Sequence, residues 1–307
     1  MTSGGASRTG RQAYTRRRWL LAGVTAAAVL MGLAGCGLPS GVDGKLANEW
    51  SMPPAAQEVQ AKVGDCRSAT QEQVNPVTET MVPCSGTHNR EIVYIGEFTG
   101  ASAALSSPPT LQKNATGAAA TAQAEAYAEC SKQASAYVGH AWYDVRLDLN
   151  VVLPSSTAWA AGRKWYRCEL QQVDWYSFDD ETREGSLKDF TYPIRCMNFA
   201  NDESREVGCA TKHNGEYVGT FTALSQTRPK TSAQYAAYHT KCRSLAAPYL
   251  GVTVAQVRYL TGTYVWFSYN EDYASSGRQD VHCFLWYGEK KSMTGTAKGK
   301  RGTNLPK

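Results

Sequence analysis

The 307-residue chain carries a formal charge of +5. That excess lies wholly ahead of Trp19, where Arg8, Arg11, Arg16, Arg17 and Arg18 face no acidic residue; removing those five from 32 Lys+Arg leaves 27, against 27 Asp+Glu. A balanced remainder without a basic-aromatic patch excludes nucleic acid as a partner.

The first predicted element is a segment for export. Arg16-Arg17-Arg18 is followed by an uncharged run, Trp19 to Leu33, and by Leu33-Ala34-Gly35-Cys36. The run of about 15 residues is shorter than the roughly 20 that a membrane-spanning helix needs. A basic start, a short apolar core and a small-residue exit are the layout of a cleaved signal peptide, expected here over residues 1–35. The exit looks like a bacterial lipobox, which makes Cys36 the expected lipid-attachment site and mature N-terminus. Thr15-Arg16-Arg17-Arg18 also resembles a twin-arginine signal, so either export route fits, and an uncleaved anchor is the alternative. Residues 36–62 then read as a tether to the outer face of the cell membrane.

Nine cysteines remain an odd number until Cys36 is set aside. The other eight are Cys66, Cys84, Cys130, Cys168, Cys196, Cys209, Cys242 and Cys283, with no Cys-x-x-Cys among them. An even set in an exported chain reads as disulfides.

Those eight expose an internal duplication. Cys84-Ser-Gly-Thr-His88-Asn89-Arg90-Glu91 aligns with Cys209-Ala-Thr-Lys-His213-Asn214-Gly215-Glu216, and Gly-x-Phe-Thr follows at Gly96 and Gly219. Cys130 and Cys242 precede Tyr137-Val138-Gly139 and Tyr249-Leu250-Gly251 at one offset, and Val145-Arg146 matches Val257-Arg258. Repeat 1 is placed at 63–175 and repeat 2 at 192–288. Residues 176–191 read as an acidic linker, and the lysine-rich 289–307 as a disordered basic tail. The Ala/Ser/Pro/Thr-rich stretch from Ala101 to Thr121 is an insertion that repeat 2 largely lacks.

Within each repeat, β-branched and aromatic runs after the His/Glu motif predict strands. Tyr235, Tyr238, Cys242, Leu245 and Tyr249 form one helical stripe, which Tyr127, Cys130, Ala134 and Tyr137 repeat. Gly139 and Gly251 are the expected C-caps. Trp165–Trp175 and Val281–Tyr287 are the closing strands. The fold class expected is α+β: two tandem disulfide-stapled units, each a small antiparallel sheet packed by one main helix. Eight cysteines allow on the order of a hundred pairings, and spacing alone does not choose among them. Duplication restricts them, because each copy once folded alone. The expected bridges are Cys66–Cys84, Cys130–Cys168, Cys196–Cys209 and Cys242–Cys283, with a pseudo-symmetric interface between the copies.

Val63-Gly64-Asp65-Cys66, Val82-Pro83-Cys84 with His88 and Glu91, Cys130, and Trp159-Ala-Ala-Gly162 before Cys168 together resemble the septum-formation domain family of actinobacterial envelope proteins. The second copy matches at Cys196, Cys209, His213, Glu216, Cys242, Gly277 and Cys283, but lacks the Gly-Asp and the Trp. The resemblance implies a link to division-septum formation and implies no catalytic residues.

His88, Asn89 and Glu91, with His213, Asn214 and Glu216, are the candidate structural or partner-contact residues. On a strand, residues three apart point to opposite faces, which opposes chelation by one His-Glu pair. A metal site with His88 and His213 converging between the copies is the alternative. The structural reading has Asn shaping a turn, His donating to a carbonyl beside the disulfide, and Glu facing the other way. Most of the tryptophans are expected in the core; Trp159, among small residues, is the one expected at a partner surface. Gly-x-Ser-x-Gly and a phosphate loop are absent. The expectation is therefore a non-enzymatic, membrane-anchored envelope lipoprotein, with no cofactor and no metal. It would act as a tandem binding or scaffold module for an envelope protein or cell-wall polymer. The alternative is a cell-wall-modifying or metal-dependent hydrolase with its site between the repeats.

Overall fold

The computed structural model describes residues 60–68, 80–174, 180–191, 195–200, 203–267, 277 and 279–306. Cys36, most of the tether and Trp175 fall outside them. Both repeats belong to one compact unit, residues 56–307. Among the described residues no helix is long and apolar enough to cross a membrane.

Two five-stranded sheets carry the fold. In repeat 1, β1 (Cys66–Arg67), β2 (Met81–Val82), β3 (Arg90–Glu97), β4 (Leu147–Val152) and β5 (Trp165–Gln172) lie in the order β2-β1-β3-β5-β4. In repeat 2, β6 (Cys196–Ala200), β7 (Glu203–Val207), β8 (Gly215–Thr222), β9 (Gly262–Phe267) and β10 (Asp280–Trp286) lie in the order β7-β6-β8-β10-β9. The two orders are the same, and every pairing is antiparallel. Even the irregularities coincide. The β3–β5 ladder skips Val93 opposite Cys168, and the β8–β10 ladder skips Val218 opposite Cys283. A bulge retained at one position in both sheets is a feature of the ancestral unit.

Each sheet is packed by one long helix. Helices α1 (Gly100–Ala103), α2 (Gly117–Val138) and α3 (Ser156–Ala160) belong to repeat 1, and α4 (Ser232–Leu250) and α5 (Val254–Leu260) to repeat 2. Helix α2 buries Ala122, Ala126, Cys130, Ala134 and Val138, one residue per turn, against Tyr166, Cys168 and Leu170. Small side chains let it lie close to the sheet. Helix α4 buries Tyr238, Cys242, Ala246 and Leu250 in the same rhythm, which leaves Tyr235 of the anticipated stripe exposed. Both helices end on glycines at positive φ, Gly139 at 82° and Gly251 at 75°, as the C-cap reading requires.

The four disulfides join Cys66 to Cys84, Cys130 to Cys168, Cys196 to Cys209 and Cys242 to Cys283. None crosses between repeats. The long bridges clamp each helix to its closing strand. At separations of 13 to 41 residues, the chain-entropy model gives each roughly 3–4 kcal/mol.

Two expected boundaries need correction. Residues 180–190 do not behave as a linker; they fold back on repeat 1 as a strap. His88 and Arg183 exchange backbone hydrogen bonds at 2.9 and 2.7 Å, and Leu187 is buried in the repeat 1 core. The basic tail is not disordered either. Met293 exchanges hydrogen bonds with His213 at 3.0 and 2.9 Å, and Met293, Ala297 and Leu305 are buried. A few apolar residues pinned by backbone hydrogen bonds suffice to order a segment whose exposed positions are polar or charged.

The interface is also unlike the expectation. Repeat 1 contributes the 3-10 turn Trp142–Asp144 and helix α2, whereas repeat 2 contributes its sheet and the segment leading into it. Unlike surfaces meet, so the contact is heterologous rather than pseudo-symmetric.

Candidate functional site

Glu91 and Glu216 begin their ladders opposite Cys66 and Cys196. Both are fully buried. Their oxygens are met only by donors, as a carboxylate requires. Glu91 accepts from the Tyr137 hydroxyl at 2.6 Å, the Ser186 hydroxyl at 2.5 Å and the Leu187 N–H at 2.5 Å. Glu216 accepts from the Tyr249 hydroxyl at 2.5 Å, the Thr296 hydroxyl, the Ala297 N–H at 2.8 Å and the Tyr287 hydroxyl at 3.4 Å. Burial, then the Glu91 carboxylate, pushes the Tyr137 hydroxyl up to about 12. Burial, then the Glu216 carboxylate, pushes Tyr249 and Tyr287 upward.

The donors come from the straps, and the straps repeat each other. Gly185-Ser186-Leu187-Lys188 matches Gly295-Thr296-Ala297-Lys298. The first glycine of each donates to the carbonyl of Cys84 or Cys209 at 2.6 Å. The hydroxyl of each also accepts from the following lysine N–H, at 3.0 and 3.1 Å. Each strap then reaches the end of the long helix, Asp189 N–H on Tyr137 O and Gly299 N–H on Tyr249 O. Each glutamate thus ties three elements together: its own strand (β3 or β8), the long helix and the strap. The sequence held the signal, a Gly-[Ser/Thr]-x-Lys element after each closing strand, but the acidic and basic compositions around it suggested linker and tail.

His88 Nδ1 donates to Gly86 O at 2.8 Å and His213 Nδ1 to Thr211 O at 2.9 Å, so each pins the turn after its disulfide. Both rings are fully buried, with Nε2 unpaired. They sit in separate repeats, each bridged to its own strap. Asn214 departs from the turn-capping reading. It pairs with the backbone of Phe199 on β6, accepting at 2.8 Å and donating at 2.7 Å. Asn89 is buried at the corresponding position. Among the described residues, one group lies close enough for a cation: Cys66, Cys84 and Glu91. Its sulfurs are bonded to each other, whereas the thiolate is the metal-binding form.

Trp159 is not at a surface. The Ser155 side chain caps α3 by accepting from Ala158 N–H at 3.2 Å, and this single turn directs the indole inward. Trp159 is 1% exposed, donates to Leu105 O at 2.6 Å and meets Phe98 edge-on at 5.5 Å.

Sequence reasoning missed the joint between the repeats. Asp144 of repeat 1 accepts from the Tyr217 hydroxyl on β8; that hydroxyl is 2.7 Å from Thr220 Oγ1, which is 3.1 Å from His282 Nδ1 on β10. Arg195 stacks on the Tyr217 ring at 4.1 Å and donates to Asp144 O at 2.9 Å. Burial, then Asp144, raises Tyr217, while burial, then Arg195, holds His282 well below the ordinary histidine value. Arg146 links Glu181 of the first strap to Glu206 on β7, at 3.5 and 3.8 Å. No short motif announces this cluster, because its members come from both copies.

No curated protein and no solved structure matches the chain. A family model described as Septum formation matches residues 63–283, from the residues just before β1 to the last cysteine and so across both stapled repeats. By that match, the chain belongs to the septum-formation family.

Proposed function

We propose that this chain is a non-enzymatic lipoprotein, anchored through Cys36 to the outer face of the cell membrane, that presents its paired repeats to an envelope partner during septum formation. The observation that carries the reading is the doubled glutamate cradle. In both copies the polar residues of the family-like motif are sealed inside, and its glutamate is held by donors from the strap, so they build a rigid module rather than face a substrate. The four disulfides suit an oxidising compartment, and septum formation enters through the family match. A photo-crosslinker at Tyr259, which is 76% exposed, should capture a discrete envelope component in growing cells. Cys36→Ser should abolish lipidation, read by mass spectrometry of the N-terminal peptide. An unlipidated wild-type N-terminus, or no crosslink at any exposed site, would overturn the reading.

A second reading, a hydrolase with its site between the repeats, draws on the hydrogen-bonded chain Asp144–Tyr217–Thr220–His282. Release of wall fragments by the purified chain, lost in His282→Gln, would favour it.

A further inference from the structure

The strap of repeat 2 carries a charge that its structural task does not require. Both straps fill a buried glutamate in the same way. Residues 180–190 do so with Asp180, Glu181, Glu184 and Asp189 against Arg183 and Lys188. Residues 288–306 do so with Lys290, Lys291, Lys298, Lys300 and Arg301 against Glu289 alone. The first strap also spends its arginine internally, since Arg183 donates to Gly185 O at 2.9 Å and to Ser186 O at 3.1 Å. The five cations of the second strap are all exposed, and among the described residues none of them enters an ion pair. Like charges crowded on one ordered segment repel each other. The first copy shows that the glutamate cradle forms without them.

The fold sets an exposed aromatic and an exposed aliphatic residue beside this strap. Val257 of helix α5 shares one core cluster with Met293, Ala297 and Leu305. Gly302 packs so closely on Leu260 of α5 that a β-carbon there would come within 2.6 Å of Leu260 Cδ2. Arg301 N–H donates to Leu250 O at 2.8 Å, where α4 ends and the chain turns into α5. On α5 itself, Tyr259 is 76% and Val254 42% exposed, and the Arg258 guanidinium lies 4.6 Å from the centre of the Tyr259 ring. Residues 251–263 contain no acid. Arg258 matches Arg146 of the first copy, which pairs with Glu181 and Glu206; Arg258 has no such partner. Cations in this number attract phosphate. A polyanion dissolved in water would leave Tyr259 and Val254 without a use, whereas the headgroup region of a bilayer takes both kinds of side chain: cations among the phosphates, an amphipathic ring at the boundary with the acyl chains.

We propose that helix α5 and the strap of repeat 2 form a membrane-docking surface, with the lysines and arginines on the phosphates of anionic lipid and Tyr259 seated in the interface. This deepens the reading of a membrane-anchored module and rests on it: the envelope component met at Tyr259 is then the bilayer, and the module lies on the membrane in a fixed orientation.

The test is co-sedimentation of the disulfide-intact chain, residues 37–307 and so without a lipid of its own, with two kinds of vesicle. One is phosphatidylcholine; the other is an equal mixture of phosphatidylcholine and phosphatidylglycerol. The chain should bind the anionic vesicles alone, and added salt should weaken binding as it screens the charges. The triple variant Lys290→Gln, Lys291→Gln, Lys300→Gln should bind on the order of a hundredfold more weakly, at roughly fivefold per lost cation. Its melting temperature should not move. Tyr259→Ala should weaken binding severalfold even at high salt, and Tyr259→Trp should restore it. No binding, equal binding to both vesicles, or undiminished binding by the triple variant would overturn the surface. Soluble polyphosphate bound as tightly as the vesicles, with Tyr259→Ala without effect, would assign the cations to an anionic polymer and equally overturn it. If vesicles are not bound while a crosslink captures a protein, the docking surface falls and the binding module stands. If vesicles are bound as expected while the wild-type N-terminus carries no lipid, the anchor falls and the surface stands by itself.

Discussion

His282 stands where Arg167 stands in the first copy, one residue before the closing-strand cysteine. Arg167 is paired with Glu169 at 2.6 Å, whereas His282 lies beside Arg195, Tyr217 and Thr220 inside the joint. Burial and the Arg195 charge both disfavour its protonated form. A histidine with a depressed folded value binds its proton more readily when unfolded. Its stabilising effect is complete above the unfolded value of about 6.5 and is lost as pH falls below it, by at most about 1.4 kcal/mol per pH unit. The urea midpoint should therefore drop between pH 7.5 and 5.5, and His282→Gln should flatten that drop. An unchanged slope in the variant would assign the pH dependence to other groups. Residue-scale inference from sequence fared unevenly, for a physical reason. His88 and His213 were legible as turn-pinning donors because the partner carbonyl is two residues away. Trp159 was not, since its environment is set by Leu105 and Phe98, more than fifty residues upstream.

At the scale of elements, the two straps change what counts as a domain. Repeat 2 does not end at its closing strand; residues beyond Tyr287 supply the Thr296 and Ala297 donors to Glu216 and bury Met293, Ala297 and Leu305. A chain truncated after Tyr287 should lose about 3 kcal/mol or more, because the Glu216 carboxylate loses its Thr296 and Ala297 donors and apolar surface is opened. Chemical denaturation reads the loss, and rapid tryptic cleavage in the intact chain at Lys298 or Lys300 would contradict an ordered strap. The strands after the His/Glu motif, the helix stripes, the glycine caps and the disulfide pairs were readable because duplication prints each pattern twice at one offset, whereas the strand order was not. The straps were also printed twice. They were missed because their order comes from a buried glutamate far upstream, and their own composition, Gly, Ser, Thr and Lys, is that of a disordered segment.

For the whole molecule, the heterologous contact means that the two copies are no longer interchangeable. The 3-10 turn of repeat 1 faces the sheet of repeat 2, and the matching positions diverged accordingly: Arg67, Arg167 and Glu169 form a buried ion cluster in one sheet, where the other carries Met197, His282 and Phe284. Asp144 is the side chain through which repeat 1 reaches Tyr217. Asp144→Ala should cost about 1–2 kcal/mol of coupling and split a single calorimetric transition into two. A single unshifted transition would mean that the copies are held together by other contacts. The heterologous arrangement was beyond the sequence, since a repeated pattern specifies each copy and says nothing of which faces meet.

The straps also set a timetable. In each copy, the residues that fill the glutamate follow the last cysteine of that copy: Gly185 to Leu187 come after Cys168, and Gly295 to Ala297 after Cys283. A chain that emerges N-terminus first presents all four thiols of a repeat before it presents the clasp. Cross-linking is therefore possible while the carboxylate is still wet, and the second repeat waits longest, until the residues past Met293 have cleared. Oxidation and burial become separate events in time, and a foreign sequence inserted between Tyr287 and Ala297 would postpone only the second.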